Sequence, residues 1–399
     1  MCHTRLVRAC SATRMSAFHQ RIRQSLTCSI ITGILIIVFS GCTLQKNDSG
    51  AAEDAGRTTK PQIGEAASEW IDHTPETARH ASRPAAGEDC SIVYDPIQKR
   101  MLLFGGKNDL DENMNEVWEL DIHTKKWEKL TISGSMPPPS EDHVTLFDPI
   151  GYRLLLHGGE NGPTTNKLWA LDLNELIWHD LTDSTSPPRE DHTAIYDSRR
   201  KRMVIFGGTE LSYPNIWEIW GFGLDPKKPD FHKWTDLTVE EKHIPGRMDH
   251  TAVYDSLKDR MIVYGGWDLI RKRYFEDTWS FSFTDSRWKK IKTKKSHPPM
   301  RRHVVGDLDS RRNWFIIFGG FGNKGLLNDA WAFDMNKDKW INITPGPQPR
   351  FDHQAVYVPD QNSFMIYGGD AGLSGKFHDL WQLKIRDGAD IEGMLKSAR

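Results

Sequence analysis

The chain has 399 residues, 38% hydrophobic and 27% charged, which excludes a disordered or fibrous polymer. Length alone predicts two or three domains. A formal net charge of −2 excludes a general electrostatic footprint for nucleic acid, so no nucleic-acid partner is expected. Fifteen Trp and 32 Gly beside five Cys point to short turns around aromatic-packed layers, as in all-β repeat folds.

The first 41 residues carry five Arg (Arg5, Arg8, Arg14, Arg21, Arg23) and no Asp, Glu or Lys. An apolar run from Ile30 to Phe39 follows, too short to span a hydrocarbon core of roughly 20 residues. A basic flank, a short apolar core and the small residues Ser40 and Gly41 predict a signal peptide over 1–41. Phe39-Ser40-Gly41-Cys42 resembles a bacterial lipoprotein signal. That resemblance implies cleavage before Cys42 and lipidation of its thiol. Thr43, in place of a retention Asp, implies sorting to the outer membrane of a Gram-negative cell, facing the periplasm or the exterior. Met15 is an alternative start.

Removing the signal leaves 47 basic and 54 acidic residues, a net of −7. It also leaves only Cys42 and Cys90, so no disulfide framework is expected in the exported chain. Residues 42–67 hold almost no large apolar side chains and read as a flexible tether.

From residue 68 the chain repeats. A Gly-Gly pair closes an apolar run at Gly105, Gly158, Gly207, Gly265, Gly319 and Gly368, with intervals of 53, 49, 58, 54 and 49 residues. A short motif precedes each pair: Glu88-Asp89-Cys90, Glu141-Asp142-His143, Glu190-Asp191-His192, Met248-Asp249-His250, Arg301-Arg302-His303 and Phe351-Asp352-His353. From its last residue to the first Gly is 15 positions in five repeats and 16 in the fifth. Trp pairs nine apart follow in four repeats: Trp118/Trp127, Trp169/Trp178, Trp279/Trp288 and Trp331/Trp340. The third is looser, with Trp217 or Trp220 before Trp234.

Each unit reads as four strands: one after the motif, one running into Gly-Gly, and one around each Trp. Asp-Pro and Asp-Ser turns punctuate them. This pattern resembles the kelch repeat, in which each unit is one propeller blade. The resemblance implies an all-β, six-bladed kelch-type β-propeller over 68–386, followed by a tail, 387–399. The sixth repeat has Trp381 but Asp390 where its second Trp is due. The missing strand is found at the other end, in Ser68-Glu69-Trp70-Ile71-Asp72, so an N-terminal strand should close the ring.

Strand direction gathers the long loops 107–115, 160–166, 209–215, 267–275, 321–327 and 370–377 on one face, where ligands are expected. A residue type present in nearly every blade is architectural, which assigns His143, His192, His250, His303 and His353 to structure and gives no metal site. Asp89, Asp142, Asp191, Asp249 and Asp352 either cap turns or form an acidic rim around the pore. Cys90 stands where other blades have His and reads as a small buried thiol.

The departures from the repeat suggest a ligand site. Arg301 and Arg302 in blade five, the lead-in lysines Lys292 and Lys294, and Arg271, Lys272 and Arg273 in the blade-four loop form a basic sector with Trp267, Tyr274 and Phe275. Such a sector suits an anionic protein or glycan. The expectation is a monomeric, membrane-tethered binding scaffold with no catalytic residues and no cofactor. The alternative is a cofactor-free sugar-modifying enzyme, such as the sialic-acid mutarotases that share this fold, with Glu141, Glu190 and Arg302 as candidate acid–base groups.

Overall fold

A computed structural model describes residues 68–74, 82–239, 243–293 and 296–386. Cys42, the expected signal and tether, Lys294 and the tail after Arg386 lie outside the described residues. Six four-stranded antiparallel sheets make six blades. The inner strands are Ser91–Asp95, Val144–Asp148, Thr193–Asp197, Thr251–Asp255, Val305–Asp309 and Gln354–Val358. Each packs beside the next, and the first packs beside the last, so the ring is closed. Among the described residues no helix is long and apolar enough to cross a membrane.

The strand running into Gly-Gly is apolar without alternation because neighbouring blades cover both of its faces. Arg100–Phe104 and Arg260–Tyr264 are buried along their whole length. The turn before this strand is fixed by charge. In blades one to four the last inner-strand residue is an Asp that pairs with the Arg opening the second strand: Asp95–Arg100 at 3.1 Å, Asp148–Arg153 at 2.7 Å, Asp197–Arg202 at 3.0 Å and Asp255–Arg260 at 2.9 Å.

Blades are joined by an aromatic relay. The outer-strand Trp of each blade packs on the residue just before the Gly-Gly pair of the preceding blade. The pairs are Phe104–Trp178, His157–Trp234, Phe206–Trp288, Tyr264–Trp340 and Tyr367–Trp127, with centroids 4.8–5.3 Å apart. Trp70 completes the circle against Phe318 at 5.1 Å. Burying an aromatic side chain contributes about 1.5–3 kcal/mol, so six such contacts are a large part of blade-to-blade cohesion.

Ring closure follows the expected route. Ser68–Asp72 pairs antiparallel with the long strand Lys376–Ile385, with Trp70 opposite Leu383. In blade three the inner Trp is Trp220, on the strand Ile219–Gly223. Trp217 lies in the preceding loop and stacks on His243 at 4.0 Å.

Blade five corrects the alignment of the repeats. Its inner strand begins at Val305, and Val304 is the residue buried against the Gly-Gly pair of blade four. Val304 therefore holds the place of His143, His192, His250 and His353. His303 falls back into the Asp place, Arg302 into the place of Glu141 and Glu190, and Arg301 into the place of Arg189, Arg247 and Arg350. Val304 stands 15 positions before Gly319, the same spacing as in the other five repeats.

Candidate functional site

The loops leading into the inner strands build three concentric rings on one face. Outermost are buried arginines. Arg189, Arg247, Arg301 and Arg350 are each fully buried, and each donates from Nη1 to the carbonyl of the first Gly of its own pair, at 2.8–2.9 Å. Each also pairs with an acid two residues before the inner Trp: Glu218 at 3.2 Å, Asp277 at 3.0 Å, Asp329 at 2.8 Å and Asp379 at 2.6 Å. Arg301 thus leaves the ligand-facing set. Its guanidinium ties the lead-in loop to the blade.

The histidines beside these arginines are also buried. His143 Nε2 lies 3.2 Å from the Phe104 carbonyl, His192 Nε2 3.0 Å from His157 Nδ1, and His250 Nε2 2.9 Å from Thr193 Oγ1. Burial lowers His143 to about 4 and His353 to about 3, so these rings are neutral near pH 7. Their fit explains the glycines. Gly105 and Gly106 have φ of 64° and 84°, and a Cβ on Gly105 would stand 2.6 Å from the His143 ring.

The two blades without this His follow a rule. Where the residue before Gly-Gly is Phe or His, the facing position is His: Phe104–His143, His157–His192, Phe206–His250 and Phe318–His353. Where it is Tyr, the facing position is Val304 or Cys90. Tyr264 Oη donates toward the Pro298 and Pro299 carbonyls at 2.9 and 3.0 Å, and Tyr367 Oη toward Pro84 and Ala86 at 3.3 and 3.4 Å. The hydroxyl supplies a polar tie in place of the one the imidazole makes at His143, His192 and His250.

The innermost ring surrounds the axis: Asp89, Asp142, Asp191, Asp249, His303 and Asp352, all with positive φ between 48° and 56°. Backbone bonds link several members, including Asp89 N to Asp352 O at 3.1 Å and Asp191 N to Asp142 O at 3.0 Å. His303 bridges its neighbours, with Nδ1 2.5 Å from Asp352 and Nε2 3.3 Å from Asp249. Burial and then the adjacent carboxylates raise Asp89, Asp142 and Asp191 well above the ordinary carboxylate range. The five Asp of the expected rim therefore do converge, at the mouth of an axial channel of about 580 Å³ lined deeper in by the inner strands. Carboxylate oxygens of Glu88, Asp89 and Asp352, and of Asp89, Glu141 and Asp142, lie within 4.8 Å of one another. Oxygen-only sets of this kind suit a hard cation. Lys376 and Lys107 supply positive charge at their edges, on Glu88 at 3.1 Å and on Glu141.

Between these rings lies the one whose chemistry changes from blade to blade: Glu88, Glu141, Glu190, Met248, Arg302 and Phe351. Each is held by a backbone bridge to the residue after its own Gly-Gly pair: Lys107, Glu160, Thr209, Trp267, Phe321 and Asp370. Blades one to three present glutamates, and blades four to six present apolar, cationic and aromatic groups. The Arg302 guanidinium lies 5.3 Å from the Trp267 ring centroid and 5.9 Å from that of Phe321. Tyr274 packs tilted against Trp267 at 4.5 Å, and Phe351 edge-on to Phe321 at 6.1 Å.

The remaining basic residues sit outside this platform. Arg271, Lys272 and Arg273 are exposed on the hairpin that joins Trp267–Asp268 to Arg273–Tyr274. Arg271 pairs with Asp268 at 3.2 Å, and Arg273 lies over Phe275 at 4.9 Å. Lys292 is exposed just beyond the outer strand Arg287–Ile291. Loop tips on this face also expose Leu110, Leu211, Tyr213, Ile270 and Leu373. The opposite turns expose Ile97 and Leu257.

A closed ring of six Gly-Gly blades with these lead-in loops defines a kelch-type β-propeller. The chain belongs to the KLHDC2/KLHL20/DRC7 kelch-repeats domain family, which it matches over residues 27–228 and 222–389. It is 29% identical over 326 residues to an F-box/kelch-repeat protein of Arabidopsis thaliana, covering 76% of this chain and 55% of that protein. It is 25% identical over 262 residues to Kelch domain-containing protein 3 of Homo sapiens, covering 62% and 66%. A stretch of 178 residues is 32% identical to the flagellar outer-arm dynein alpha chain of Chlamydomonas reinhardtii, covering 41% of this chain and 4% of that protein. The chain thus spans between 4% and 66% of the length of these relatives.

Proposed function

We propose that this protein is a binding scaffold whose loop face engages a protein or glycan partner. The sector on blades four and five would take an anionic group of that partner. The observation that carries this reading is Arg302, stacked on Trp267 and Phe321 at the channel mouth on a face otherwise rich in carboxylates. Its Nη1 lies 3.9 Å from Asp249 Oδ2, and a guanidinium held in place by this carboxylate and by aromatic faces loses little entropy on offering its other donors to a carboxylate or phosphate. Exposed Arg271, Lys272, Arg273 and Lys292, with Lys294, add attraction that speeds encounter more than it tightens the complex. Arg301, being buried, has no part in it.

The proposal extends to location. Cys42 would carry the lipid, 42–67 would hold the propeller off an outer membrane, and the scaffold would act as a monomer. Metabolic labelling with a fatty-acid analogue should mark the wild type and not Cys42→Ser; equal labelling of both contradicts the anchor. For the binding site, capture of partners from the source cells by the wild type is compared with Arg302→Glu and with Arg271→Glu/Lys292→Glu. Arg302→Glu should abolish recovery of the specific partner, and the double variant should reduce it in a salt-dependent manner. Undiminished recovery by Arg302→Glu refutes the assignment.

A further inference from the structure

Six blades give six internal controls for the variable ring, because its side chains reach toward the loop of the preceding blade. Glu88 meets Lys376 of blade six, and Glu141 meets Lys107 of blade one. Lys107 is the residue directly after Gly106. In blade three the same relationship is inverted. Glu190 is 6% exposed, and the residue directly after Gly159 is Glu160. Glu190 accepts a hydrogen bond from Thr164 Oγ1 at 2.9 Å and shares another with Glu160. Burial and then Glu160 raise it to about 8. Blade one also brings two carboxyl groups together, Glu88 with Asp370 directly after Gly369, and there Lys376 joins them 3.1 Å from Glu88; blade two sets Glu141 against Lys107.

Going round the ring from Glu190, the next position is Met248 beside Trp267, and the one after is Arg302 beside Trp267 and Phe321. Three consecutive positions are therefore acidic, apolar and cationic. We propose that they form one strip for an extended segment of a partner protein bearing a basic, an apolar and an acidic side chain. The basic side chain takes, beside Glu190 and Glu160, the role that Lys107 plays beside Glu141. The apolar one packs on half-buried Trp267, over the buried Met248, and the acidic one meets Arg302. This rests on the protein-binding reading above and specifies its ligand. A purely acidic segment would satisfy Arg302 but set further negative charge beside Glu160 and Glu190. A purely basic one would set like charge against Arg302. Only the mixed segment satisfies both ends.

The test uses the full chain, panned against a random twelve-residue peptide library displayed on phage, with enriched peptides synthesised and titrated by fluorescence polarisation. Enriched sequences should place Lys or Arg on one side of a hydrophobic residue and Asp or Glu on the other. Glu160→Lys rebuilds the couple of blade two and should weaken these peptides about tenfold or more; Glu160→Gln should weaken them less, and Arg302→Glu about as much as Glu160→Lys. Glu128→Lys, an exposed change on the outer strand of blade one, is the control and should leave affinity unchanged. Uniformly acidic peptides whose affinity is equal or higher in Glu160→Lys overturn this strip while leaving Arg302 as an anion site. No enrichment, or peptides indifferent to both Glu160→Lys and Arg302→Glu, overturns the strip and the loop-face site together.

Discussion

Trp70 lies against Phe318, ring centroids 5.1 Å apart, in the same relation that Trp178 has to Phe104 and Trp340 has to Tyr264. The first described strand of the chain is thereby the outer strand of its last blade. Trp70→Ala removes one of six equivalent inter-blade contacts and should cost about 3 kcal/mol of stability. Deleting residues 68–74 also exposes the edge of Lys376–Ile385, and unfolding should lose its single cooperative transition. Differential scanning calorimetry reads both effects. An unchanged Tm in the deletion contradicts ring closure by this strand.

The arginines divide by depth. Arg247 is fully buried, bonded to the Gly265 carbonyl at 2.8 Å and to Asp277 at 3.0 Å, so Arg247→Ala removes both ties and leaves half-buried Asp277 only the exposed Lys290 at 3.3 Å. A loss of about 3–5 kcal/mol is expected. Arg271→Ala, on an exposed hairpin, should change stability by less than about 0.5 kcal/mol. Urea titration of the two variants checks the difference, and similar midpoints contradict it.

The exchange of His for tyrosine hydroxyl can be tested as a cycle. Cys90→His alone should destabilise, because Tyr367 already fills the position and ties the loop to Pro84 and Ala86. Tyr367→Phe alone leaves those carbonyls without a donor and should cost about 1 kcal/mol. The double variant reproduces the Phe318–His353 pair and should recover about 1 kcal/mol or more relative to the sum of the single changes. Simple additivity would contradict the rule.

Stability should depend on pH in two opposing ways. Burial first, then Asp352 and Glu160 respectively, raise Glu88 to about 7 and Glu190 to about 8, from 4.5. Between pH 4.5 and 8 the folded state therefore binds more protons than the unfolded chain, and these groups make stability fall as pH rises. Burial lowers His143 to about 4 and His353 to about 3, from 6.5, so over that lower window the unfolded chain binds more protons and stability rises with pH. Above 6.5 the carboxyl contribution is opposed only toward pH 8, where burial lowers Lys125 to about 8 from 10.5. Tm should fall from pH 6.5 to 8, and Glu190→Gln should flatten the fall, gaining on the wild type at pH 8 and little at pH 4.5. Parallel curves for the two proteins across pH 6–8.5 contradict this.

Repetition made the propeller legible: Gly-Gly and Trp recur because each blade solves the same packing problem. Even Trp70 could be matched to a blade 300 residues away, because closure needs a sixth outer strand. The site was less legible. Matching blade five on residue type put His303 with the histidines, although its spacing of 16 instead of 15 already favoured Val304. With the register corrected, Arg301 joins Arg189, Arg247 and Arg350, each 18 residues before its Gly carbonyl partner, and becomes a scaffold residue. The variable ring could be read only after that correction. Its acidic half was hidden because Lys107 and Lys376 meet their glutamates through loops distant in sequence.

Contact with the partner is expected at the loop face and not at the face of short turns. Its most direct test places a photo-crosslinking amino acid at Ile270, 65% exposed on the loop face, and separately at Leu257, 68% exposed on the opposite face. Both versions of the full-length protein are irradiated in the source cells. A discrete crosslinked species from position 270, lost when Arg302→Glu is added, with none from position 257, is the predicted result. Crosslinking from position 257 and none from position 270 would contradict the account.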